Sequence, residues 1–359
     1  MRYFENIDKN LFYKKPVEIN KDSNKELLQY GLGANLYMNA LKDIFYKLIS
    51  GGFENIGVVT ICFEDAIKEE DVETCEKNVL ELLNKLSSYK EKGMLKEESM
   101  PIIFIRVRNI NQFINFTEKL NKNQISFIGG FTFPKFDTSN AEIYLEHLSY
   151  LNHKFDTKLY AMPIFESENI LYKESRIKEL LTIKDILKEY KNLILNIRVG
   201  GTDFSSKFGL RRSVKYNIYD IRVISECLID IINIFSRRED EYTISAPVWE
   251  YFSSDLESEE VQGLIKEINY DKENGFYGKT IIHPYQGKYV NAAYAVSYED
   301  YIDSKNIIES SQDGGVFKGF GDNKMNEVLP HLNWARKNII KAEVFGVLKE
   351  GVTVDKLYE

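Results

Sequence analysis

The strongest constraint on this chain is a rhythm: a short apolar run followed by a longer amphipathic stretch, repeated eight times. The runs are Ala34–Met38, Ile56–Phe63, Ile102–Val107, Phe127–Phe133, Lys158–Ile164, Leu193–Val199, Tyr242–Ala246 and Thr280–His283. They are rich in Ile, Val, Phe and Tyr and often end at polar, Gly or Pro positions, as buried parallel strands do. Between them, apolar residues recur three and four apart, which predicts helices over Val72–Leu86, Ile110–Leu120, Ala141–Leu151, Ser175–Tyr190, Tyr219–Phe235 and Glu259–Ile268. Such alternation folds as an open doubly wound sheet or as a closed barrel. Eight repeats favour the (β/α)8 TIM barrel, an α/β fold, and 359 residues fit one barrel with extensions.

The predicted organisation is a barrel over residues 1–308, with a short N-terminal extension, and a C-terminal lid and helical extension of the same domain over 309–359. The latter holds a Gly-rich stretch, SSQDGGVFKGFGDNKM, and a helix around Pro330–Phe345. The stretch lacks the strand-then-helix setting of a dinucleotide fingerprint, so its glycines are expected to serve a mobile lid or turn. No internal repeat and no Pro- or Ser-rich linker marks a second domain.

Charge excludes one class of partner. The formal net charge is −8 with both signs mixed along the chain, unlike the basic footprint of a nucleic-acid binder. Three scattered cysteines, Cys62, Cys75 and Cys227, fit a reducing compartment and argue against a disulfide framework or a CxxC metal site. The opening MRYFENIDKNLFYKK has no apolar signal core, and no later segment approaches a membrane span. The expectation is a cytoplasmic protein with no membrane partner.

In a barrel, chemistry sits at the C-terminal ends of the strands. There the second run delivers Glu64 and Asp65 (CFEDAI) and the third delivers Arg106 and Arg108 (FIRVRN). The fourth ends in Pro134-Lys135, the fifth in Glu166 (AMPIFES), and the sixth leads to Asp203 (RVGGTDF). Ionisable groups in such a rim must pair with one another or with a metal. Mg2+ takes six oxygens and usually keeps waters, so two carboxylates plus substrate oxygens complete a site. Glu166 and Asp203 lie on adjacent strands, about 4.8 Å apart, close enough to reach one ion. Gly200-Gly201 would allow close approach of backbone and ligand. An arginine opposite the metal would stabilise a developing enolate.

Each of these residues also has an ordinary reading. Glu166 and Asp203 precede helices and are placed to cap them. Arg106 is placed to pair with Asp65 at the rim, and Glu64 and Asp65 to support their neighbours rather than transfer protons. Lys135 is placed to pair with an acid; a Schiff base would need a depressed pKa. His283, before Pro284, is placed either to tie off the last strand or to touch ligand. His147, His153 and His331 lie on predicted helices and carry no assigned chemistry, and Cys62 is expected to pack inside the second strand.

The ordered series LYM, CFEDAI, RVR, FPK, MPIFES, GGTDF and GKTIIHPYQ, roughly Gly33 to Asn291, resembles the HpcH/HpaI aldolase and citrate lyase beta-subunit superfamily. LYMNA, RVGGTDFSSKFGLRR, SAPVWEYF and NKMNEVLPHLNWA are similar to its TIM-barrel carbon–carbon bond lyase branch, often found with tellurite-resistance and stress-response gene clusters. The resemblance implies that Glu166 and Asp203 are the two metal carboxylates and that Arg106 contacts the substrate carbonyl or enolate. It implies that Glu64 and Asp65 are the acidic pair supporting the arginine and a metal-bound water. Lys279 and His283 match the segment that shapes the acyl-carrier side of the pocket. No histidine follows the first two strands, where HpaI-type aldolases keep their base, so the analogy is to citrate lyase and malyl-CoA lyase.

The function so implied is a Mg2+-dependent carbon–carbon lyase, or the condensing reverse, with Mn2+ as a substitute ion. The substrate would be a small carboxylate or an acyl thioester such as that of coenzyme A. Related lyases recruit an acid from a neighbouring subunit's C-terminal segment, which nominates Asp313 and Asp322 and implies a homo-oligomer, a trimer or hexamer. Two departures widen the options. Arg108 stands where the family usually has Asn, and FGLRRS adds Arg211 and Arg212, which together suggest a more anionic, phosphorylated or nucleotide-linked substrate. A non-catalytic barrel subunit of a biosynthetic complex is the third reading.

Overall fold

Val58–Cys62 places five successive residues out of water, and Ile102–Arg106 and Ile128–Phe133 do the same along their whole lengths. Burial on both faces is the mark of a strand with helices outside and a filled interior. In the computed structural model, which describes residues 3–65, 67–97, 100–312 and 314–358, eight such strands run parallel. They are β1 (Ala34–Asn39), β2 (Val58–Cys62), β3 (Ile102–Arg106), β4 (Ile128–Phe133), β5 (Tyr160–Phe165), β6 (Ile197–Val199), β7 (Ile244–Ser245) and β8 (Lys279–Ile281). Each pairs with its successor from β1 to β7, and β8 pairs with β1.

The ring closes between β7 and β8 through a parallel bridge of Ala246 with Lys279 and a hydrogen bond from Ala246 N to Gly278 O of 3.0 Å. Gly278 has φ +79°, and a Cβ there would collide with the carbonyl oxygen of Gly33, so this seam requires glycine. The fold is therefore the TIM barrel.

The outer helices are α1 (Lys25–Gly31), α2 (Val72–Glu91), α3 (Ile110–Glu118), α4 (Ala141–Phe155), α5 (Lys173–Glu189), α6 (Arg222–Phe235), α7 (Glu259–Glu273), α8 (Tyr298–Glu309) and α9 (Val328–Phe345). Polar caps set several starts: Asn109 accepts from Gln112 N ahead of α3, and Ser258 accepts from Val261 N ahead of α7. One apolar cluster joins the inner faces of these helices to the strands. No helix among the described residues is long and apolar enough to cross a membrane.

Two strand expectations are corrected. The sixth run is shorter than predicted as a strand: β6 begins at Ile197, and its earlier residues contribute only the bridge Ala161–Ile194. The eighth run stops at Ile281, because the Gln286 side chain accepts from the backbone N–H of Ile282 and of His283 and turns the chain. The C-terminal extension carries its helix to one end of the barrel. Its helix α9 packs on α8 and α1, Lys337 lies 5.6 Å from the Tyr277 ring centroid, and Lys337 and Ile340 share a cleft with Lys191 and Glu241. Tyr277, Lys191 and Glu241 all precede strands, so α9 covers the N-terminal end of the barrel. The Gly-rich stretch before it is a hairpin, Val316–Lys318 against Met325–Glu327.

Candidate functional site

Strand periodicity points alternate residues inward, and residues at and after the C-terminal ends of β1, β2, β3, β5, β6, β7 and β8 line a cleft of about 570 Å3. Arg106, the last residue of β3, stands at its centre. Its guanidinium is 3% exposed and meets three carboxylates: Glu64 at 2.5 Å, Glu166 at 3.0 Å, and Asp65. Lys135 closes the circuit by pairing with Glu64. Its backbone, held at φ +49°, donates its N–H to Glu166 Oε1 at 2.9 Å. This turn after β4 exists because Pro134 ends the strand and the N–H that follows finds a carboxylate.

Glu166 follows β5 and is almost wholly buried. Burial raises its pKa to about 7; Arg106 opposes the rise, while Asp203 and Glu64 add to it. The bonds from Arg106 and Lys135 both end on Oε1. Oε2 faces Gly200, where an added Cβ would overlap it, so the glycine keeps open the space beside this oxygen. Asp203, in the first turn of the short helix Gly201–Lys207, lines the same cleft.

The carboxylates of Glu166 and Asp203 line one cleft. No group of three or more His, Cys, Asp or Glu suited to a metal ion exists among the described residues. A two-carboxylate site suits a hard cation that keeps waters and takes substrate oxygens, so the donor set fits Mg2+. It does not fit Zn2+, which wants a fuller protein shell of N and S donors.

The other sequence candidates are placed elsewhere. Arg108 turns away from the cleft, donating to Ile67 O at 3.1 Å and pairing with Glu69 at 2.9 Å. Arg211 is exposed on the loop after the short helix. Two candidates for substrate contact sit in one buried ion network. Arg212 is buried against Glu250 at 2.7 Å and against Glu267, and Lys279 lies between Glu267 and Asp271 at 2.8 Å from each. This ion network fastens α7 to the first residue of β8, at the end of the strand remote from the cleft, and fully engages both cations.

His283 accepts from Tyr285 N and stacks on Phe252 at 4.2 Å, just beyond the end of the strand. Asp322 sits at the hairpin tip beside Lys318, and Asp313 lies outside the described residues. Cys62 is buried at the end of its strand, as expected, and also lines the cleft; Cys75 and Cys227 are buried and free.

Sequence reasoning missed Arg198, in the middle of β6, together with Tyr37, Glu250 and Thr280 in the cleft lining. The Tyr37 ring lies between the two cleft arginines, its centroid 5.8 Å from the guanidinium carbon of each. The signal was present: NIRVGG carries an arginine inside an apolar strand, a costly placement that calls for a reason.

A family model described as C–C bond lyase of the TIM-barrel fold matches residues 26–347. No curated protein matches the sequence. Among solved structures, a citrate lyase from Burkholderia xenovorans LB400 aligns with a TM-score of 0.61 at 13% identity, over 91% of this chain and 96% of that one. The protein CitE of Mycobacterium tuberculosis, in complex with magnesium, acetoacetate and coenzyme A, aligns at 0.56 and 15% identity, over 88% and 99%. RipC from Yersinia pestis aligns at 0.50 and 15%, over 74% and 95%. At these identities the likeness is one of fold.

Proposed function

The chain belongs to the C–C bond lyase family of the TIM-barrel fold, and from that premise we propose that it is a Mg2+-dependent lyase acting on a small carboxylate or acyl thioester. The observation that carries this reading is the pairing of Glu166, its Oε2 kept open by Gly200, with Asp203 beside a buried, triply bridged Arg106. Glu166 and Asp203 would hold the ion, which would supply charge to a substrate carboxylate and its neighbouring oxygen. The magnesium, acetoacetate and coenzyme A in the CitE complex support this choice of ion and ligand class.

In the cleavage direction a substrate hydroxyl gives its proton to solvent water and becomes a carbonyl. The adjacent carbon–carbon bond breaks, and its electron pair moves onto the acyl fragment as an enolate, whose carbon then takes a proton from water. Arg106 donates hydrogen bonds to that enolate oxygen, and Glu64, Asp65 and Glu166 hold the guanidinium still while it does so. Lys135 holds Glu64 in turn, a supporting role consistent with a pKa raised by Glu64 against the effect of burial. Condensation runs the same steps backwards. A phosphorylated or nucleotide-linked substrate is the lesser reading, because Arg108 and Arg212 are engaged by protein carboxylates.

Enolate chemistry is testable before the substrate is known. In D2O with Mg2+, the protein is expected to exchange the methyl protons of pyruvate or of acetyl-CoA, followed by NMR. Arg106→Met is expected to slow exchange about 100-fold or more while the fold persists. Equal exchange by wild type, variant and protein-free buffer would defeat the lyase reading.

A further inference from the structure

The two arginines of the cleft differ in one respect. Arg106 meets three carboxylates; Arg198, 1% exposed, has none within ion-pair reach among the described residues. Its Nη2 donates to Thr280 Oγ1 at 2.6 Å, while Nε and Nη1 have no hydrogen-bond partner. Tyr37 offers partial compensation through its hydroxyl and its ring at 5.8 Å, and the neighbouring Arg106 adds a smaller repulsion. Glu250, the acid of the lining that belongs neither to Arg106 nor to the proposed ion, is already bonded to Arg212 at 2.7 and 2.8 Å.

An unpaired buried guanidinium costs several times what a neutral residue would, and arginine does not lose its proton to escape. If Arg198 served only to join β6 to β8 through Thr280, a neutral side chain would do so without that cost. Arg198 and Thr280 both line the cleft, so the missing anion has an entry route.

We infer that Arg198 and Thr280 form a second anion subsite, which takes a carboxylate at the end of the substrate distant from Glu166 and Asp203. The substrate is then a dianionic acid with carboxylates at both ends. Arg198 selects it over the monocarboxylate of equal length. This rests on the proposed lyase reading only for what holds the other end. The cleft, about 570 Å3, lies within the usual range for small-ligand sites and admits such a chain.

The test is calorimetry with 2-oxoglutarate and 2-oxopentanoate, which differ only in the terminal carboxylate. It is run with Mn2+ and again in chelator, on wild type, Arg198→Met and Thr280→Val. Wild type is expected to bind 2-oxoglutarate at least about tenfold more tightly, the scale of a charge-assisted hydrogen bond. Arg198→Met is expected to abolish the preference without lowering Tm; a purely structural arginine would lower it. Thr280→Val, which keeps the cation, is expected to lose part of the preference.

Equal affinity for the two acids in wild type, no binding of either at millimolar concentration, or a preference that survives Arg198→Met would overturn the inference. So would inorganic phosphate binding that depends on Arg198 in the absence of any dicarboxylate preference. A preference seen in chelator and lost in Arg198→Met, with no Mn2+ bound, would sustain the subsite and remove the metal. Mn2+ binding without a preference would do the reverse.

Discussion

At the residue scale the site turns on which oxygen of Glu166 is free. Arg106 and Lys135 share Oε1, and Gly200 guards the space at Oε2. Gly200→Ala is therefore expected to displace the carboxylate and weaken Mn2+ binding about tenfold or more, with secondary structure by circular dichroism unchanged. Unchanged Mn2+ affinity would place the ion elsewhere. The proton on Glu166 gives a second handle. Burial raises its pKa to about 7, so the apo side chain is protonated below that pH and a cation must displace the proton. Mn2+ affinity is expected to fall about tenfold per unit as pH drops beneath about 7 and to level off above it. Equal affinity at pH about 6 and about 8 would contradict this.

Residue identity alone could point to Glu64, Asp65, Arg106, Lys135, Glu166 and Asp203, because charges at strand ends stand out against apolar runs. It did not reveal that Arg212 and Lys279 share one buried ion network. Their partners, Glu250, Glu267 and Asp271, come from distant elements that no local pattern brings together.

At the element scale, the apolar runs located the strands to within a residue or two wherever both faces are buried, as in β2, β3 and β4. The pattern failed where side-chain hydrogen bonds decide the end, as Gln286 does for β8. The α7–β8 joint shows how strongly one buried network can hold an element. Lys279→Met leaves Glu267 with Arg212 and the backbone N–H of Ile218, and Asp271 with the Tyr219 hydroxyl, bonded at 2.7 Å. Loss of one buried partner typically costs about 3–5 kcal/mol, so urea denaturation should show a drop of that order. A change below about 1 kcal/mol would mean that water or rearrangement satisfies both acids.

At the scale of the whole molecule, the barrel was legible from its eightfold rhythm, but the place of the C-terminal extension was not. Sequence order says nothing about which end of a closed barrel a trailing helix will cover. Val344, Phe345 and Leu348 enter the main core, and Val347–Leu348 pairs with the N-terminal strand Phe12–Lys14. We propose on this basis that the extension folds as one unit with the barrel. Truncation after residue 308 is expected to abolish the cooperative thermal transition rather than leave a stable barrel.

The central claim is a cation site on the two carboxylates at the barrel mouth. Mn2+, paramagnetic and close to Mg2+ in its ligand preferences, reports on it directly. Chelator-stripped protein titrated with Mn2+ and read by EPR should show one ion per chain in the wild type, with binding lost or greatly weakened in Asp203→Asn. Binding that is unaffected by Asp203→Asn, or absent in the wild type both alone and with 2-oxo acids present, would contradict it.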